Sequence, residues 1–180
     1  YAQTMNNNIM RWTVSGVRND STTSLQSFYW RDTLPTDAVR LTRLVTGTYS
    51  TTQTYKVTFT TNLNSQWRTA YDNLSTAKNY TLDMSSAALG LASNEYVTQF
   101  MLSFGIVPAG FHQLTNATVD AQTLYALTNG YKFTNKADVG GLLGGNWVQS
   151  IARWTTSIYS HYVPAKPAAP KSPTLPRTGY

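Results

Sequence analysis

Apolar and polar residues alternate in short runs along most of the chain, with turn-forming residues between the runs. A period of two predicts strands with one buried face rather than helices. Over residues 8–14, Met10, Trp12 and Val14 fall on one face and Arg11 and Thr13 on the other. Asn19-Asp20-Ser21 marks a turn. A second strand is predicted over 25–34, with Phe28, Trp30 and Asp32 sharing a face. It stops at Pro35, which has no N–H for a ladder. Residues 39–49 are β-branched and Thr-rich, but their alternation slips near Arg43, as at a bulge. Tyr55, Val57 and Phe59 alternate with Lys56, Thr58 and Thr60, the clearest strand in the chain. Residues 67–74 are ambiguous, 77–84 read as a strand, and 85–92, rich in Ala and Leu around Gly90, predict one helical turn. Tyr96, Phe100, Leu102 and Phe104 line one face of a long strand. Pro108, Gly110 and Asn116 punctuate a loop before strands over 119–127 and 132–139. On the last strand Val148, Ala152, Trp154 and Ile158 are expected to face inward. Eight or more short strands divided by turns predict an all-β fold, a Greek-key β-sandwich.

Composition fits that reading. The chain has 180 residues, no cysteine and only 12% charged residues, with Tyr, Thr, Ser and Asn abundant. It is long enough to bury a core without a disulfide staple. The net charge is +6, and three of the 14 basic residues, Lys166, Lys171 and Arg177, sit near the C-terminus, so the remainder is only mildly basic. With no run of Lys or Arg and no basic helix, nucleic acid is not an expected partner. No stretch approaches the ~20 apolar residues of a membrane helix, and a chain starting at Tyr1 with no signal peptide reads as a fragment of a longer precursor.

The texture changes after Val163. Prolines recur at 164, 167, 170, 173 and 176 among Ala and Lys. This predicts an extended spacer that reaches about 40 Å at ~3.1 Å per residue. The chain therefore divides into a sandwich domain, residues 1–162, and a Pro-rich tail, residues 163–180. The tail ends in Leu175, Pro176, Arg177, Thr178 and Gly179. These five residues resemble the L-P-x-T-G sorting signal of sortase-anchored Gram-positive surface proteins. The resemblance implies a sortase as partner, whose thiolate attacks the Thr178 carbonyl and breaks the Thr178–Gly179 bond. The acyl group passes to an amine of peptidoglycan or of a pilin lysine. It also implies an extracellular location on the cell wall and a substrate of an enzyme rather than an enzyme. Pro176, with fixed φ and no N–H, kinks such a substrate before it binds.

A second resemblance covers residues 8–160. Asn19 in the turn after the first strand, then Asp32-Thr33-Leu34-Pro35, and later Asn135, Ala137, Val139 and Gly141 in a closing strand resemble the repeat domains of bacterial surface proteins. The resemblance implies an immunoglobulin-like β-sandwich that acts as a stalk or pilin-like module, or as an adhesin holding host glycan or matrix protein. In isopeptide-forming relatives a first-strand lysine condenses with an asparagine of the closing strand beside an acid near D-T-L-P. Asp32 and Asn135 match two of these parts. The lysine does not match: the first strand offers Met10, Trp12 and Val14, and no lysine precedes Lys56.

The remaining chemistry is sparse. His112 and His161 are far apart and without a carboxylate cluster, so neither a metal nor a cofactor is expected. No acidic pair has the spacing of a glycosidase dyad. Gly140-Gly141-Leu142-Leu143-Gly144-Gly145 lacks the P-loop lysine and reads as a turn. Five Trp and twelve Tyr are a large aromatic content. Trp12, Trp30 and Trp154 share faces with apolar residues and are expected in the core, whereas Trp67 and Trp147 lie near turns and are the candidates for stacking on a ligand.

Overall fold

The structure, a computed structural model, describes residues 1–6, 8–124 and 130–157. Thirteen strands follow one another, all paired antiparallel. They are β1 (Ala2–Asn6), β2 (Ile9–Val14), β3 (Leu25–Thr33), β4 (Val39–Val45), β5 (Thr48–Tyr49), β6 (Thr54–Thr61) and β7 (Arg68–Ser75), then β8 (Thr81–Asp83), β9 (Val97–Val107), β10 (Gln113–Thr115), β11 (Ala117–Thr123), β12 (Lys132–Leu143) and β13 (Asn146–Ser157). A five-stranded sheet runs β1-β2-β11-β4-β8, and a six-stranded sheet runs β13-β12-β3-β9-β6-β7. A small β10-β5 ribbon joins loops at one end. The chain crosses from one sheet to the other between β2 and β3 and again between β3 and β4, as a Greek-key sandwich requires.

One core fills the space between the sheets. Met10, Trp12 and Val14 enter it from β2, as their alternation predicts, and Phe28, Trp30 and Asp32 enter from β3. Trp30 donates its indole N–H to the Tyr49 hydroxyl (2.9 Å), which donates in turn to the Thr46 carbonyl (2.8 Å). Each buried polar tip is thus satisfied. Phe28, Tyr49, Phe104 and Phe111 pack in edge-to-face and stacked pairs with centroids 4.8–5.9 Å apart. Truncating a ring such as Trp30 to alanine removes transfer energy and leaves a cavity, at a cost of about 3–5 kcal/mol.

The slip near Arg43 is a bulge. Arg43 pairs with Asp120 and Leu41 with Ala121, so Thr42 is the extra residue, and its hydroxyl donates to the Asp120 carbonyl (3.0 Å). That shift lets both Leu41 and Leu44 point inward. A second irregularity lies around Ser27 (φ 50°), after which Phe28 stands opposite Gly105 (φ 75°). It puts Leu25 and Phe28 in the core although two residues separate them.

Expectations are corrected at residues 77–84 and in the burial of the last strand, and one ambiguous stretch is resolved. Of the stretch 67–74, ambiguous in sequence, all but Trp67 belongs to the edge strand β7, Arg68–Ser75. Of residues 77–84, only Thr81–Asp83 pair as a strand, because the chain first reverses in a turn over residues 75–78, closed from the Lys78 N–H to the Ser75 carbonyl (3.1 Å). Residues 85–92 make the expected single helical turn, closed from the Leu89 N–H to the Ser85 carbonyl (3.1 Å) and not continued into a helix. The last strand differs in burial. Val148, Ala152 and Trp154 stand opposite Gly141, Ala137 and Asn135 and so do share the inner face of the sheet. Yet β13 is the edge of the wider sheet and overhangs, and only Thr156 on it is buried. Trp154 is 39% exposed and leans on Tyr1 (6.2 Å between centroids) instead of joining the core. Ile158, His161, residues 125–129 and the tail, with Leu175–Gly179, lie outside the described residues.

Candidate functional site: a groove across the six-stranded sheet

The outer face of the six-stranded sheet carries the side chains that alternate with the core. Register aligns them in rows. Tyr29 on β3 stands beside Ser103 on β9, which stands beside Lys56 on β6. In the next row Asp138 on β12, Arg31 and Met101 are neighbours. These rows, with Asp138 buried beneath Arg31, floor an open groove of about 720 Å³. Its rims hold Trp147, at the start of β13, and Trp67, just before β7. Both indoles reach solvent, at 64% and 38% exposure. The two tryptophans that sequence singled out for a ligand therefore line one groove, although they are 80 positions apart and β7 and β13 lie at opposite edges of the sheet.

The Trp147 side is braced. β12 turns into β13 through Gly144 (φ 55°) and Gly145 (φ 84°), the paired positive φ of a tight two-residue hairpin. Trp147 then meets Tyr29 edge-on, with centroids 6.3 Å apart. The Tyr29 hydroxyl donates to Asp138 Oδ2 (2.9 Å), Arg31 donates two bonds to the same carboxylate (3.0 and 2.8 Å), and Gln149 Nε2 donates a fourth (2.7 Å). Burial alone would raise the Asp138 pKa, but the bonds from Arg31, Gln149 and Tyr29 outweigh it and hold the carboxyl below its usual range. Gly140 makes this closeness possible. A Cβ there would sit 2.4 Å from the Val148 carbonyl and 3.1 Å from the Tyr29 hydroxyl. The groove is thus a shaped surface on a rigid sheet.

The second pair singled out in sequence is also brought together, in the interior. Asn135 on β12 donates one amide N–H to Asp32 Oδ2 (2.8 Å) and the other to the Tyr1 hydroxyl (2.7 Å). Asp32 and Asn135 are fully buried. Asp32 Oδ1 and Asn135 Oδ1 have no hydrogen-bond partner among the described residues. Burial first, and then the charge of Asp138, push the Asp32 carboxyl up to about 7, against the opposing bond from Asn135. A proton on Oδ1 would let Asp32 donate to Asn135 Oδ1 and close a cyclic acid–amide pair, which satisfies both orphaned oxygens at once. No lysine amine joins them among the described residues: Lys56, Lys78 and Lys132 are exposed and Lys136 is half-exposed on the outer face.

His112 is exposed, with Nδ1 against the Gly110 carbonyl (2.9 Å). Among the described residues no three His, Cys, Asp or Glu side chains cluster as metal ligands, and no helix is long and apolar enough to cross a membrane. Sequence reasoning missed Tyr29, Arg31, Lys56 and Asp138 as a surface. The usable signal was an outward aromatic and an outward arginine placed between the inward Phe28 and Trp30, but only register brings Asp138 beside them. No protein-family model matches the chain, and no curated protein or solved structure matches it.

Proposed function

We propose that the chain is a cell-surface adhesive module of a Gram-positive bacterium, anchored by a sortase through Leu175–Gly179 and carrying its ligand face on the six-stranded sheet. The observation that carries the binding part is the groove with Trp67 and Trp147 on its rims. A stalk or pilin-like spacer without a ligand needs only a polar, unbroken surface, and this face departs from that with two exposed indoles and a braced polar floor. The anchoring part is supported by the LPRTG sequence at the end of a proline-spaced tail. In this role the protein is acted on by an enzyme, and its partners are sortase, the accepting amine of peptidoglycan or pilin, and a host glycan or matrix protein held in the groove.

One preparation tests both parts. A sortase and amine-coated beads are expected to release Gly179-Tyr180 and couple the chain through Thr178, and Thr178→Ala is expected to abolish coupling. Coupled beads are then expected to adhere to a glycan- or matrix-coated surface, and Trp67→Ala/Trp147→Ala beads to detach. An intact tail under conditions that process a control LPxTG peptide refutes the anchoring. Equal adhesion by wild-type and doubly substituted beads refutes the ligand face.

A further inference from the structure

We infer that the groove's ligand is a neutral, linear glycan that lies across the strands, with sugar faces stacked on Trp147 and Trp67. The inference rests on the groove being the ligand face and names what occupies it.

Length comes first. The groove's lining runs from Trp147 on β13, through Tyr29 on β3, Ser103 on β9 and Lys56 on β6, to Asp72 on β7. These strands span the whole sheet in the order β13-β12-β3-β9-β6-β7. Five spacings of about 4.8 Å make a path of roughly 24 Å. That suits a chain of several sugar rings, whereas a single ring would leave most of it wet. β12 contributes Gly140 at the crossing, and the space a Cβ would take there is filled by the Tyr29 ring, so the Tyr29 ring itself forms the floor at that strand.

Charge comes second. The groove's charges cancel within it. Arg31 is paired with Asp138 at 2.8 Å. Lys56 lies between two register pairs, Tyr55 with Leu74 and Val57 with Tyr71, so the bulged pair Asp72 and Asn73 faces it on β7. A polyanion finds no surplus of cations here, and a polycation finds no surplus of carboxylates. The floor mixes donors (Lys56, Arg31) with acceptors (Asp72) and with hydroxyls that do both (Ser103, Tyr29). Sugar hydroxyls also donate and accept, so they match such a floor. A proline-rich peptide also stacks on indoles, but it brings carbonyl acceptors and few donors, and so adds little to the one donor Asp72 already has, the Asn73 N–H (2.7 Å).

Stacking comes third. The C–H face of a pyranose is apolar and fits a flat ring, while its equatorial hydroxyls point sideways to polar neighbours. Trp147 meets Tyr29, which is held by Asp138, and this contact lowers the side-chain freedom lost on binding.

The test titrates the whole chain with neutral hexasaccharides (cellohexaose, chitohexaose, maltohexaose, mannohexaose), with a hyaluronan hexasaccharide as the acidic probe and with a proline-rich peptide. The expected result is binding of at least one neutral hexasaccharide, weaker for its disaccharide and unchanged by salt, since no ion pair is formed. Trp147→Ala and Trp67→Ala are each expected to weaken it about tenfold, the size of one lost aromatic contact. Trp154→Ala, on the opposite face, is expected to leave it unchanged. Equal melting temperatures of the variants exclude unfolding as the cause. Salt-sensitive binding of hyaluronan alone, or of the peptide alone, with the same loss in the tryptophan variants, overturns the neutral glycan and keeps the groove as ligand face. If no probe binds, or if the tryptophan variants bind as wild type, both the inference and the reading beneath it fall.

Discussion

The outer faces of the two sheets are built alike and finished differently. Each buries one aspartate under arginines. On the five-stranded sheet Arg11 (2.7 Å) and Arg43 (2.9 Å) clamp Asp120. On the six-stranded sheet Arg31 clamps Asp138. Burial works against both carboxylates, and the arginine bonds hold both below the usual range. The hollow that Asp120 lines is shared with Ile9, Thr42, Arg43, Thr81, Asp83 and Ser85, with no aromatic ring among them. Around Asp138 the clamp also holds Tyr29 and Gln149, and through Tyr29 it sets Trp147 at the rim of a groove. The same ion-pair device therefore stitches strands on one face and orients a recognition surface on the other. The difference lies in what hangs from the aspartate.

Removing each aspartate sharpens that contrast. Asp138→Ala strands Tyr29, Gln149 and a largely covered Arg31, and it is expected to cost about 2–3 kcal/mol in denaturant unfolding and to weaken groove binding as well. Asp120→Ala is expected to cost only about 1 kcal/mol, because Arg11 and Arg43, 43% and 48% exposed, return to water. It should leave binding alone. Equal losses from the two changes would break the comparison.

Asp32 offers a smaller and differently signed effect. Its folded pKa, about 7, lies above its ordinary value of 3.8. The proton it keeps on folding adds stability that is fully present below about pH 4 and is lost as pH rises through about 7. The clamped aspartates act in the other window, where their contribution is lost only as pH falls below the ordinary carboxylate range. The melting temperature is therefore expected to fall between pH 5 and pH 8. Asp32→Asn, whose amide can form the cyclic pair with Asn135 without a proton, is expected to flatten that fall. A wild-type profile level across this range would show that Asp32 enters the fold ionised.

Much of the scaffold was legible because it is local. The alternation of Met10, Trp12 and Val14, the turn around Asn19 and the bulge near Arg43 each follow from a few adjacent residues. Asn19 is a case in point, since its side chain ties Thr23 and Pro108 carbonyls (3.0 Å each) to the Ser21 amide (2.9 Å). Burial of β13 was not legible, because parity says which face a residue takes and not whether the opposite sheet extends far enough to cover it. Val148 and Trp154 lie on the inner face and stay half-exposed for that reason. The candidate site was half legible. Trp67 and Trp147 stood out by their place near turns, and Asp32 and Asn135 by resemblance. The floor of the groove depends on β3–β12 and β6–β9 register over separations near 107 and 45 residues, which no local pattern records.

The account rests most on the groove being where ligand binds, and the indole N–H signals report on it directly. The chain has five tryptophans, hence five indole cross-peaks in a ¹H–¹⁵N spectrum. Trp12 and Trp30 are buried, with their N–H groups bound to Gln3 and Tyr49, and Trp154 lies on the other face. On titration with the neutral hexasaccharide that binds best, the Trp67 and Trp147 peaks are expected to move together with one affinity while the other three hold still. Movement of Trp154 without Trp67 and Trp147, or no movement at all, would contradict the account.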